Sequence, residues 1–288
     1  MLNYYVAEYG YSGERLSGEL TIDRVGPITA EEYGQVLSLF DFTSDYVRIK
    51  YIKQMTVESG HDFIDYCHNL KTIKKDFDIL NSDAYGVTGN KLLITFLSFI
   101  RIFQDVIQNT LAKREDERFD DYKVFNTLMY DDYLGYRLCT RMRNYVTHFD
   151  VPLTSINNSL EGGISLTCHK EQLLQYDGWS SVKKEIEHLP SEFEMNEYVG
   201  ESIVAIEALY LKALENYFEK AYSCYNKFQK WQSEHHVDRA IIVSIDDETE
   251  EKVSLHPFPV NTMIEFFKEL SKHPNYDINI LEKDEINQ

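Results

Sequence analysis

RLCTRMRNYVTHFDVP, residues 137 to 152, reads as the end of a helix and its stop. Val151 stands before a proline, and a residue in that position is pushed out of the α region, so the helix ends before Pro152. A helical region is predicted from about Asp121 to His148, bent near Gly135, where glycine weakens a helix interior. Within it Arg137, Arg141, Arg143 and His148 occur with no acidic residue between Leu134 and His148. The chain as a whole has formal net charge −19, so a locally basic helix stands apart from its background.

Outward from this stretch the pattern stays helical. Leu93, Phe96, Leu97, Ile100, Phe103, Ile107 and Leu111 form one wide apolar stripe, which predicts a helix over Lys91 to Lys113. Phe63, Ile64, Cys67, Leu70, Ile73 and Phe77 recur at three and four residues from about His61, with a loop at Asn81 to Gly86. Beyond Pro152 come a loop, a short strand at Ile164 to Cys168, and helical pieces near 170–176 and 180–188. Glu194 to His235 keeps a three-four rhythm throughout; unbroken, it would reach roughly 60 Å. The two ends read differently. Residues 1–28 alternate around Tyr4, Val6, Leu20 and Ile22 and predict two strands joined by a glycine-containing turn. Thr29 and Glu32 form a capping box for a short helix to about Phe40, and Val47 to Met55 alternates as a further strand. Ala240 to Ile245 and Val253 to Leu255 predict a hairpin around an acidic turn, followed by a helix near 261–272. The expected organisation is mainly α: a β-containing region at 1–56, a helical bundle at 57–236, and a hairpin plus helix at 237–288.

Composition narrows the function classes. The chain has 288 residues, 43% of them apolar, with 21 Tyr and 16 Phe against 6 Pro and 13 Gly, which favours a helical globular protein over a turn-rich β fold. No apolar run approaches the roughly 20 residues that span a bilayer, and the N-terminus lacks a basic and apolar leader, so the expected compartment is the cytoplasm and no membrane is expected. The four cysteines, Cys67, Cys139, Cys168 and Cys224, form no metal or redox spacing and read as buried thiols. Strong acidity argues against general nucleic-acid binding but leaves room for a small basic pocket. No phosphate loop, HExxH, GxSxG or EF-hand pattern is present, and neither His235-His236 with Asp238 nor His148 with Asp150 completes a metal-ligand set.

Arg143-Asn144-Tyr145-Val146-Thr147-His148 fits R-N-x-x-x-H and resembles the HEPN superfamily, whose ribonuclease members carry an arginine and a histidine four to six residues apart, with Asn, Asp or His favoured after the arginine. The resemblance covers the motif and its helical context, about residues 60–236, and not the β regions. It implies a HEPN-like bundle and a metal-independent, cofactor-free endoribonuclease that cleaves RNA by 2′-hydroxyl attack to a 2′,3′-cyclic phosphate. It further implies a homodimer that brings both motifs to one cleft, and a toxin or phage-defence role restrained by an antitoxin or regulatory protein. Arg143, Asn144 and His148 are then the catalytic candidates. Arg141 and Arg137 are candidates for RNA phosphate binding.

Helix geometry separates these roles. At about 100° per residue, Arg137, Arg141, Asn144 and His148 share one stripe, whereas Arg143 lies about 140° from His148. Asn144, one turn before His148, is placed to orient the imidazole. For Arg143 and His148 to converge, the helix must unwind near Thr147 or the two must meet across a dimer. Arg141, on the histidine's face, is the rival phosphate clamp. Three other readings stand beside this one: a non-catalytic HEPN-like module that binds a nucleotide or a protein, a structural or regulatory protein unrelated to the family whose long helix mediates assembly, and a helix-terminal His148 with arginines that merely pair with acids.

Overall fold

The computed structural model describes residues 2–12, 19–73, 82–112, 117–159, 163–236, 240–246, 249 and 252–278. The glycine-bearing turn, most of the charged run 114–118, most of the acidic turn 246–251, Asp238 and the end of the polar tail lie outside them. Two compact units emerge. One consists of the residues up to Val47 together with those from Leu214 onward; the other is Arg48–Ala213.

The first unit is built on a four-stranded antiparallel sheet in the order β2-β1-β6-β7. Strands β1 (Leu2–Ser12) and β2 (Glu19–Ile28) pair as the N-terminal alternation predicts, and β6 (Ala240–Asp246) and β7 (Lys252–Pro257) form the predicted hairpin. What the alternation does not reveal is that β1 pairs with β6, with Val6 opposite Ile242, so the chain's two β regions make one sheet. Ala7, Ile241, Val243 and Ile245 form a buried cluster there. The helices of this unit are the first part of α1 (Ala30–Lys71), α8 (Phe218–His235) and α9 (Val260–Leu270). Phe42 and Tyr46 of α1 meet Phe266 of α9 edge-on, at centroid distances of 5.8 and 5.4 Å.

Two predictions fail in α1: the helix expected to stop near Phe40 runs on to Lys71, and a strand expected within it is absent. Val47 to Met55 is helix, not strand. The β-branched alternation of V-R-I-K-Y-I-K is real, but the buried residues Phe42, Tyr46, Ile49, Ile52 and Thr56 step by three and four, and that period prevails.

The second unit carries the central stretch. Its helices are the rest of α1, α2 (Ser82–Ala112), α3 (Glu117–Asp132), α4 (Leu134–His148), the short α5 (Lys170–Leu173) and α6 (Lys183–His188), and α7 (Asn196–Glu215) as far as Ala213. A small sheet, β3-β4-β5, joins Ser155–Ser159, Gly163–His169 and Glu192–Phe193. The loop predicted before α2 is helix from Ser82 onward. The long run 194–235 is two helices, broken at Asn216 and Tyr217. The break expected at Gly135 falls two residues earlier, at Tyr133, which has an extended backbone. Among the described residues, α2 is the one helix long and apolar enough to cross a membrane by length and composition. Its predicted stripe, Leu93 to Leu111, is buried, while Lys91 and Arg101 are exposed, as on an amphipathic core helix. All four cysteines are free and buried.

Candidate functional site

Helix α4 is clamped by its apolar face. Tyr136, Leu138, Cys139, Met142 and Tyr145 are buried, and Gly135 allows α7 to approach closely. A Cβ at Gly135 would fall 2.2 Å from the Tyr198 carbonyl oxygen, and the Gly135 N–H donates to Glu201 Oε2 at 2.8 Å. Gly135 is therefore a helix-packing residue rather than a bend. With that face fixed, the polar side of α4 carries Arg137, Thr140, Arg141, Arg143, Asn144, Thr147 and His148, of which Thr147 and His148 are exposed and the others partly buried.

The arginines have different tasks. Arg137 is turned inward. It donates to the Tyr130 and Asp131 carbonyls at 2.6 and 2.5 Å and pairs with Glu185 at 2.8 Å, with 13% of its side chain exposed. It caps the C-terminal end of α3, where carbonyls lack helical partners, and joins α3 and α4 to α6. Its guanidinium is committed within the protein, which does not suit the phosphate-binding role expected from the sequence.

Arg141 and Arg143 instead line a cleft of about 210 Å³, with Thr140 and Asn144 beside them. Helix α2 supplies the opposite wall through Leu97, Ile100, Arg101 and Gln104, and Tyr130 of α3 completes it. Arg141 Nε donates to the Tyr130 hydroxyl at 2.9 Å, and Arg143 donates to Asn144 Oδ1 at 3.2 Å. Arg101, which the sequence reading missed, pairs with Asp105 at 3.0 Å along the surface of α2. Its signal was available: Arg101 and Gln104 are polar residues one turn apart beside the apolar stripe. Gln104 is held by the buried Tyr136 hydroxyl at 2.8 Å, which in turn donates to Asn126 at 3.1 Å. Burial pushes the Tyr136 hydroxyl pKa up to about 12, so it stays protonated and able to donate. Three arginines thus line one cleft, Arg101 with its guanidinium paired to Asp105, and the remaining polar lining groups are an amide pair and hydroxyls. This arrangement suits an anion with several acceptor oxygens.

His148 is brought to the same helix but not to the same cleft. It is exposed in the last turn of α4 and, among the described residues, makes no hydrogen bond or ion pair. The helix does not unwind before it: Thr147 Oγ1 donates to the Arg143 carbonyl at 2.8 Å and the Phe149 N–H to the Tyr145 carbonyl at 2.8 Å. Arg143 and His148 therefore stay about 140° apart around one helix. Asn144 turns its carbonyl to Arg143, not to His148, so the expected orienting bond is not formed.

A second polar cluster lies on the small sheet. Ser155 Oγ contacts His169 Nε2, and Glu192 stands 3.9 Å from the same nitrogen. Both partners address one ring nitrogen, so this is not a nucleophile–base–carboxylate relay, which needs the two nitrogens bonded separately. Asn157 and Thr167 donate to Glu192, Asn157's bond chiefly holding its carboxyl below the usual range, and the group reads as a satisfied cross-strand network. Among the described residues no group of three or more His, Cys, Asp or Glu gathers as metal ligands. No family model, curated protein or solved structure matches this chain.

Proposed function

We propose that the chain is a metal-independent endoribonuclease of HEPN type that acts as a symmetric homodimer. The observation that carries this reading is that Arg101, Arg141, Arg143 and Asn144 line one cleft between α2 and α4, the helix that also presents an exposed His148, in a chain of net charge −19. The arginines and Asn144 hold the phosphodiester. A histidine takes the proton from the 2′-hydroxyl, the hydroxyl oxygen bonds to phosphorus, and the bond from phosphorus to the 5′-oxygen breaks as that oxygen takes a proton from the imidazolium. Charge gathers on the non-bridging oxygens as the phosphorane forms, where a guanidinium fork is most effective. The products are a 2′,3′-cyclic phosphate and a 5′-hydroxyl. Because α4 stays helical through His148, Arg143 and His148 of one copy do not meet; a two-fold partner supplies the second motif, and one copy's His148 works beside the other copy's Arg143. In cells such an enzyme acts as a toxin or an anti-phage effector, restrained by an antitoxin or regulatory protein.

The test is cleavage of labelled total RNA and tRNA in EDTA. Wild type is expected to cleave and leave cyclic-phosphate ends. His148→Ala lowers the rate by about 10²- to 10⁴-fold, as for loss of a proton-transfer group, and Arg143→Ala by about 10²- to 10³-fold. Mixing the two inactive variants restores about a quarter of the activity, because half the dimers formed are mixed and each mixed dimer carries one intact site. Cleavage that His148→Ala leaves unchanged sinks the reading. One observation favours a second reading, a non-catalytic module that binds a nucleotide or similar anion: His148 does not line the cleft. RNA or nucleotide binding without cleavage by any form, and without growth arrest on expression, decides for it.

A further inference from the structure

The residue after His148 ends α4 with its ring half in solvent. Phe149 has φ −133° and ψ −72°, outside the helix, and is 47% exposed. Single exposed apolar residues are ordinary and need no explanation. Phe149 differs in what lies beneath it. Its ring centroid is 5.3 Å from Tyr145 and 5.8 Å from Tyr176. Tyr145 stacks on Trp179 at 5.5 Å with 22° between the planes, and Tyr176 meets Tyr145 and Trp179 edge-on at 5.7 Å each. Tyr145 and Trp179 are fully buried, and the Trp179 indole N–H is anchored on the Leu173 carbonyl at 2.5 Å.

The backbone beneath departs from the ordinary to hold this stack. Tyr176 lies against Gly178, where a Cβ would fall 2.2 Å from the phenol ring. Ser180, just after Trp179, sits at φ 55° and ψ −127°, a conformation L residues rarely adopt. Strain of this kind persists only where its surroundings impose it, and it concentrates at working sites. The outcome is a fixed aromatic surface whose top ring borders the exposed histidine, one Cα–Cα step of about 3.8 Å away. Its neighbours along the chain, Thr147, His148 and Asp150, are exposed and polar. Val151 is 43% exposed nearby and Tyr176 is only partly buried, so the apolar surface is a small patch around one supported ring with polar flanks, which fits a flat heteroaromatic ligand.

We propose that Phe149, backed by Tyr176, Tyr145 and Trp179, is a stacking platform for the base of a nucleotide next to the scissile phosphate. The proposal rests on the reading that the substrate is RNA. Stacking holds the base through its π face without reading its edge, so the platform is tolerant of base identity. It also positions the attacking ribose at His148. Phe149 in this role is a positioning residue.

The experiment measures the dissociation constants of two fluorescein-labelled decamers. One is a 2′-O-methyl oligoribonucleotide, which binds but lacks the attacking hydroxyl; the other is its abasic counterpart, with the same phosphates and no bases. Phe149→Ala is expected to weaken the first by about 5- to 150-fold, the span of one lost base–aromatic stack, and to leave the second unchanged. Phe149→Trp restores the first, and its added fluorescence is quenched by the decamer with bases and not by the abasic one. Arg143→Ala weakens both probes alike. Equal weakening of both probes by Phe149→Ala, or no weakening of either while Arg143→Ala still acts, overturns the platform and leaves the RNA reading standing. Failure of wild type to bind either decamer at low salt overturns both.

Discussion

Replacing Arg137 with Ala strips the last carbonyls of α3 of their donors and leaves Glu185 without its cation. The Tyr130 carbonyl bond is part-buried and the Asp131 one exposed, so the loss lies at or below the low end of the range for an unpaired buried group, about 1–3 kcal/mol, and the expected result is a lower urea midpoint with a similar denaturant slope. The same substitution at Arg143, which makes one hydrogen bond to its own neighbour, is expected to leave stability within about 0.5 kcal/mol, as for a surface change. Equal destabilisation by both would contradict the division of labour drawn here. That division was not legible in the sequence. Arg137, Arg141 and Arg143 stand in one basic run, and local spacing alone makes all three look available. The partner that removes Arg137 lies 48 residues further on, across a contact no local pattern encodes. Arg101 stood out as a polar residue beside the apolar stripe of α2, but that α2 and α4 face each other across one cleft is a tertiary fact no local pattern encodes. The charge contrast singled out Arg137, Arg141 and Arg143 alike, and Asn144 came only from the R-N-x-x-x-H pattern, because both signals survive without knowledge of the fold.

At the scale of elements, the N-terminus of α1 carries the capping box that Thr29 and Glu32 suggest. The Thr29 N–H donates to Glu32 Oε2 at 3.1 Å, and the Glu32 N–H to Thr29 Oγ1 at 3.1 Å. The bond from the Thr29 backbone holds the Glu32 carboxyl below its ordinary value of 4.5. A carboxyl depressed in the folded state adds stability above its unfolded pKa, and that increment fades as pH falls through the folded value. The stability difference between wild type and Glu32→Ala should therefore be constant from neutral pH down to about 5, then shrink as pH drops through 4.5 and below. A difference that grows on acidification would refute the assignment. Caps, long apolar stripes and proline stops were legible because each is a short-range pattern. The strand expected at 47–55 was misread because two periods coexist there, and only burial, through Phe42, Tyr46, Ile49 and Ile52, decides between them. The break falls at Tyr133 and not at Gly135, which instead packs against Tyr198, a tertiary contact that propensity does not foresee.

At the scale of the whole molecule, a net charge of −19 opposes any polyanion, and the arginine cleft is the local exception. RNA binding should therefore be weak at physiological salt and should strengthen as salt falls. With two or three phosphates neutralised, the slope of log affinity against log salt should lie between about −1.4 and −2.1, at roughly −0.7 per phosphate on a single strand. Titration at several salt concentrations reads it directly, and tight, sequence-independent binding at physiological salt would contradict a confined site. The pairing of β1 with β6 has a further consequence, in time rather than in space. Residues 2–12 leave the ribosome early, yet their partner begins at Ala240. At about 5–20 residues per second, β1 waits on the order of ten to fifty seconds for it. Arg48–Ala213, one continuous stretch, is complete before then. Through that interval the first hairpin stands alone, marginal by itself and with an open edge toward other nascent chains. Translation speed across the intervening stretch thus sets how long that edge is offered, and a chain cut short before Ala240 offers it permanently.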